Sequence, residues 1–152
     1  MSILINSTEE LTQLKAKLNG SILVATNGCF DILHVGHVRY LQEAKKLGTH
    51  LIVGVNSDES VKELKGSTRP INKAEDRAEI LNALACVDFT YIFTEKTANS
   101  FLGLAKPDIY VKGGDYNLKE LPEKKVIEEI GAKVVLVSFQ NGYSTSSIIS
   151  RF

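Results

Sequence analysis

The sequence predicts a Rossmann-like α/β fold: a doubly wound sheet of five parallel strands with helices on both faces. Three observations carry that expectation. Short, wholly apolar runs recur at residues 22–25, 51–55, 109–111 and 134–137. Segments with helical spacing lie between them. Residues rich in Gly, Asn, Asp, His and Ser follow several of the runs, at 27–37, 112–117 and 140–147. Strands apolar throughout are buried on both faces, which calls for a parallel sheet covered by helices. Such a sheet takes its ligand beyond the carboxyl ends of its strands, where the strand order reverses.

The elements follow in order. Ser7 and Glu10 form a capping box before a stripe of Leu11, Leu14 and Leu18 that stops near Asn19-Gly20. The first strand, 22–25, runs into Asn27-Gly28. A helix over 37–47 carries Val38, Leu41, Ala44 and Leu47 on one face, with Gly48 just past its end. The second strand is 51–55. Asn72-Lys73-Ala74-Glu75 opens a helix bearing Ala78, Leu81, Leu84 and Ala85, and 89–93 is rich in β-formers. A short helix at 101–105 ends at Pro107. The strand 109–111 leads into Lys112-Gly113-Gly114-Asp115. A helix over 124–130 stops at Gly131, the last strand is 134–137, and a short helix begins near Ser144. No repeat or linker interrupts the pattern, so a single domain over residues 1–152 is expected.

Composition narrows the function. The 152 residues balance 18 basic against 18 acidic side chains, which argues against general binding to a nucleic-acid backbone. There is no signal-peptide pattern and no apolar run long enough to cross a membrane. A cytoplasmic protein is the expectation. Cys29 and Cys86 are far apart, without metal-ligand spacing, and are expected to be reduced.

Residues 27–37 carry the strongest signal. Two of the three histidines, His34 and His37, flank Val35-Gly36 where a strand meets a helix. The helix N-terminus offers free N–H groups and the positive end of a dipole, and imidazoles there can donate to phosphate oxygens. A plain strand–helix turn with two surface histidines is the bland alternative, and the paired spacing favours the ligand site. Zinc is a weak third option, because two histidines lack a nearby third ligand.

His34-Val35-Gly36-His37, after Asn27-Gly28-Cys29-Phe30-Asp31, resembles the HxGH signature of the cytidylyltransferase-like nucleotidyltransferases. Together with Leu64-Lys65-Gly66, Arg69-Pro70-Ile71, Val111-Lys112-Gly113-Gly114-Asp115-Tyr116 and Gly142-Tyr143-Ser144-Thr145, it is similar to the heptose-1-phosphate adenylyltransferase family over nearly the whole chain. That resemblance implies transfer of AMP from ATP to a heptose 1-phosphate, with release of pyrophosphate and formation of an ADP-heptose for bacterial surface glycans. It implies Mg²⁺ carried mainly by the nucleotide phosphates, with no dedicated protein metal site.

His34, His37 and Lys65 are then the expected catalytic residues. Lys65 sits in a glycine-bearing loop, where a solvated lysine is the plain alternative. Asn27, Gly28, Cys29, Phe30, Asp31 and Gly36 belong to the nucleotide- and substrate-binding segment. Arg69 is positioned to meet a phosphate. Arg77, a cation early in a helix, is unfavourably placed for the dipole. That hints at a ligand, with a salt bridge to Glu75 or Asp76 as the alternative. Asp31 orients either a histidine or a backbone turn. Lys112, Gly113, Gly114 and Asp115 let backbone approach a base or ribose. Gly142, Ser144, Thr145 and Ser146 suit the outer phosphates or a simple helix cap.

Phe139 stands where the related glycerol-3-phosphate cytidylyltransferases carry arginine, which favours the heptose branch and ATP. A cytidylyltransferase of that kind is the first alternative, and a non-catalytic nucleotide-binding module the second. Some members of the family are fused to a sugar kinase. This chain has no room for one, so a separate kinase would act upstream. A homodimer is compatible with the sequence, and no segment requires it.

Overall fold

The computed structural model describes residues 3–114, 118–138 and 144–151. Asp115, Tyr116, Phe139, Gly142 and Tyr143, singled out above, lie outside the described residues. The strands are β1 (Ile3–Ile5), β2 (Leu23–Gly28), β3 (His50–Asn56), β4 (Phe89–Phe93), β5 (Ile109–Gly113) and β6 (Lys133–Val137). The helices are α1 (Thr8–Lys17), α2 (Val35–Lys45), α3 (Asp58–Lys65), α4 (Ala74–Asn82), α5 (Asn99–Ala105), α6 (Lys124–Ile130) and α7 (Thr145–Ile149). All strand pairings are parallel, in the order β1-β4-β3-β2-β5-β6.

Alternate residues of each central strand enter opposite cores. Ala25, Ile52 and Tyr110 pack with Leu11, Leu14, Phe101 and Leu102 of α1 and α5. Val24, Leu51, Val53 and Val111 pack with Tyr40, Leu41, Ala78 and Leu81 of α2 and α4. This is the period-two pattern of a strand covered on both sides.

Two expectations need correction. The sheet has six strands, not five. The extra strand is β1, whose Ile3, Leu4 and Ile5 pair with Phe89, Thr90 and Tyr91. Three residues are too few to show a period. Neighbouring backbone holds them in place together with the burial of Ile5, while Ile3 remains 51% exposed.

The second correction is α3, where no helix is expected. Its sequence, DESVKELK, buries only Ser60 and Val61, so it carries almost no apolar stripe. Its N-terminus is nevertheless capped, since Ser57 Oγ accepts the Ser60 N–H. Lys65 therefore closes a helix rather than sitting in a loop. Gly66 follows with φ +106°, a left-handed conformation that glycine adopts without strain.

The strand order reverses at β2. The chain steps from β2 to β3 and β4 on one side, then crosses to β5 on the other. The loops after β2 and β5 diverge there and open the crevice that a doubly wound sheet provides for a ligand.

Candidate active site

A cleft of about 620 Å³ lies at this reversal. It is lined by Asn27, Gly28, Cys29, Phe30 and Asp31 after β2, by His34, His37 and Tyr40 of α2, and by Leu64, Lys65 and Arg69. Lys112 and Gly113 of β5, with Ser144, Thr145 and Ser146 at the start of α7, complete it. Segments spread over nearly 120 positions thus share one wall-lined space. The Thr145 hydroxyl fastens the last of them, donating to the Ile32 carbonyl at 3.0 Å.

His34 is the N-cap of α2 and His37 stands in its first turn. Their rings stack with centroids 3.8 Å apart. His37 Nδ1 accepts the His34 backbone N–H at 3.3 Å. That bond leaves the neutral ring's proton on Nε2, ready to be donated. Burial, reinforced by the His34 ring, pushes the His37 pKa down to about 4. Burial also lowers that of His34. Both rings are therefore neutral donors at pH 7, which is what permits two imidazoles to stack.

The turn before them is strained. Phe30 has φ +48°, in the left-handed region that bulky residues avoid. Its ring folds back over Gly28, where an added Cβ would meet Phe30 Cε2 at 2.9 Å. It also lies 5.3 Å from the His37 ring. Gly28 is thus required by its own neighbour, before any ligand is considered.

Asp31 orients a backbone turn, not a histidine. It is 1% exposed, and its carboxylate accepts the Ile71 and Asn72 N–H groups at 2.9 Å and Arg69 Nε at 2.6 Å. Burial by itself would raise its pKa. The N–H groups of Asn72 and Ile71 and the Arg69 guanidinium outweigh that and hold it below the ordinary value of 3.8. A carboxyl depressed by folding contributes stability above its unfolded pKa, and the contribution disappears as pH falls through the folded value. Asp31→Asn should cost roughly 1–3 kcal/mol at pH 7. Thermal melts against pH should show variant and wild type converging below pH 3.8, the ordinary carboxyl value.

Arg77 is the main correction at the site. It is 0% exposed and off the cleft wall. Its guanidinium donates to the carbonyls of Cys29, Asn56 and Asn72 at 2.7–2.9 Å and to Asp58 Oδ1 at 2.8 Å. Asp58 Oδ1 also accepts the Ala74 N–H at the start of α4. The same carboxylate thus offsets the cation's poor position against the helix dipole. Arg77 ties together the loops that form the cleft, and neither Glu75 nor Asp76 is its partner.

Gly36 and Gly114 likewise stay off the cleft wall. Gly36 is buried in the first turn of α2. Gly114 turns the chain at φ +96° while its N–H bonds Val137 O. Tyr40 and Leu64 line the cleft without having been expected there. Tyr40 was legible, because it stands one helical turn after His37. Its hydroxyl lies 2.6 Å from Thr26 Oγ1 and 3.2 Å from Val111 O. Asn27 is backed by Tyr110, whose hydroxyl donates to Asn27 Oδ1 at 2.5 Å.

Among the described residues, no group of three His, Cys, Asp or Glu could hold a metal. Among the described residues that line the cleft, Asp31 is the one acid, and it already accepts donors on both oxygens. Among the described residues, no helix is long and apolar enough to cross a membrane.

A parallel sheet with a histidine-paired, cation-rimmed cleft at its reversal is the architecture of a nucleotide-handling α/β enzyme. The cytidylyltransferase-like family model matches residues 25–151. The chain belongs to the cytidylyltransferase-like family of nucleotidyltransferases. It is 50% identical over 137 residues to the bifunctional protein HldE of Haemophilus influenzae (strain Rd), covering 90% of this chain and 29% of that protein. It is 50% identical over 149 residues to the bifunctional protein HldE of Aliarcobacter butzleri, covering 97% of this chain and 30% of that one. The chain therefore spans about three-tenths of the curated relatives it matches.

Among solved structures, it is similar to a lipopolysaccharide core biosynthesis protein from Thermoplasma volcanium. The TM-score is 0.66 at 35% identity, covering 82% of this chain and all of that one. The fold also matches pantoate–β-alanine ligase from Francisella tularensis, at 16% identity and a TM-score of 0.68, over all of this chain and 74% of that one.

Proposed function

We propose that this chain, folding as one domain, is an adenylyltransferase. It joins AMP from ATP to a heptose 1-phosphate, forms an ADP-heptose and releases pyrophosphate. The observation that carries this reading is the stacked, neutral His34–His37 pair in one cleft with Lys65, Arg69 and Lys112. The identity to the HldE proteins and to the lipopolysaccharide core biosynthesis protein supports the heptose end.

A phosphate oxygen of the sugar attacks the α-phosphorus in line. The bond from that phosphorus to the bridging oxygen breaks, and pyrophosphate carries away the electron pair. No covalent enzyme intermediate is needed, so the protein's work is to position two anions and meet developing charge. His37 Nε2–H donates to a phosphate oxygen. Lys65, at the carboxyl end of α3, brings an exposed ammonium, and Arg69 is held at the rim by Asp31. Ser144, Ser146 and the Thr145 segment offer hydroxyl and N–H groups to the outer phosphates.

Members of the family work with a divalent cation on the nucleotide phosphates. Mg²⁺ fits that role here, because it needs few protein ligands and would be held by the phosphates themselves. It would supply neutralisation of the phosphate charge. A cytoplasmic site of action goes with this substrate pair.

Pyrophosphate release measured with heptose 1-phosphate should run faster with ATP than with CTP by a factor that can reach ~10⁴. EDTA should stop it and Mg²⁺ restore it. Faster turnover of CTP with glycerol 3-phosphate would overturn the adenylyl and heptose assignments together.

A further inference from the structure

One buried acid has no part in the chemistry above. Glu123, the residue preceding α6, is 2% exposed. Its side chain does not cap its own helix. Among the described residues, Oε1 accepts a single long bond, from the Ala98 N–H at 3.4 Å, and Oε2 is buried with no hydrogen-bond partner. A carboxylate in that condition needs a nearby cation to offset its lost hydration. Lys112 is that cation. Its Nζ lies 3.7 Å from Glu123 Oε1, with side chains 19% and 3% exposed respectively.

Lys112 also lines the cleft, near the end of β5. It stands two residues after Tyr110, and strand periodicity puts both on one face of the sheet. On that face Tyr110 already fixes Asn27, another cleft residue. The histidines come from α2, which packs on the opposite face.

We propose that Glu123 is a positioning residue. It holds the Lys112 ammonium at the cleft rim, so that Lys112 meets an anionic group of the substrate from a fixed place. A lysine on a four-carbon stem loses much rotamer freedom when it engages a ligand. A counter-charge inside the protein settles that loss before the ligand arrives. An ammonium has three donors, so it can face a carboxylate and a phosphate oxygen together. This inference rests on the cleft being the nucleotidyltransferase site.

The test is a double-mutant cycle on the whole chain: Glu123→Gln, Lys112→Met and both together. ATP and a heptose 1-phosphate are titrated separately by calorimetry, beside thermal melts. Glu123→Gln should weaken one of the two anions roughly tenfold, the loss expected for a charge-assisted contact. Lys112→Met should weaken the same anion about equally, and the double variant should bind no worse than Lys112→Met alone. The affected arm identifies which substrate Lys112 serves. Glu123→Asp, which keeps the charge on a shorter stem, should give a smaller loss, and it stands in if the glutamine variant fails to fold.

Unchanged or tighter binding of both anions, or losses that multiply in the double variant, would overturn the assignment and leave Glu123 a purely structural acid. If the wild-type chain binds neither ATP nor the sugar phosphate, the proposed function falls first and the Glu123 assignment with it.

Discussion

His37→Ala is expected to lower kcat roughly 10²–10³-fold, the usual loss for one preorganised donor to developing charge. The melting temperature should stay within a few degrees of wild type. His37 contributes little to the core: its Nδ1 takes one N–H at the N-terminus of α2, and its ring packs on His34 and Phe30. Its catalytic value lies in the tautomer. The bond at Nδ1 leaves the proton on Nε2, and the depressed pKa keeps the ring neutral, so the donor costs no reorganisation when a phosphate arrives. Steady-state turnover beside a thermal melt checks both halves. Near-normal turnover in His37→Ala would remove the histidine pair from the mechanism.

Arg77→Met is expected to be the most destabilising single change at the site. Removing the cation leaves Asp58 without its counter-charge and three carbonyls, of Cys29, Asn56 and Asn72, without their shared donor. Breaking a buried charge cluster in this way costs about 3–5 kcal/mol. In a chain of this size each kcal/mol moves the melting temperature by about 2–4 °C, so a fall of roughly 10 °C should appear in a thermal scan. The observation to sink this account would be an unchanged melting temperature with a raised KM for ATP, which would return Arg77 to the ligand.

Periodicity made five of the six strands legible, because each central strand is apolar on both faces and stands out as a run. It failed at β1 and α3 for one physical reason. Neither element is specified by its own buried stripe. β1 is held by the β4 ladder, and α3 by caps and by its ties to α4 through Asp58.

The same distinction runs through the site. His34, His37, Lys112 and Ser144–Ser146 were readable from residue type and position around strand ends, whereas Lys65 and Arg69 stood out through the family resemblance; all of them line the cleft. Arg77 is not legible, because its burial depends on three segments converging from distant sequence, and dipole arithmetic within one helix cannot see that convergence. The sequence does not choose between two roles for Asp31 for the same reason: its partners lie about 40 positions away. Tyr40 was overlooked although its spacing from His37 placed it on the same helix face.

The way Arg77 grips the cleft loops bears on how such a site can change over evolutionary time. Three of its four partners are backbone carbonyls, which every amino acid possesses. The side chains at positions 29, 56 and 72 can be exchanged without altering those acceptors. Substrate preference can therefore drift by loop substitution while the anchor stays the same, so a lineage can explore new acceptors without first having to rebuild the scaffold that presents them.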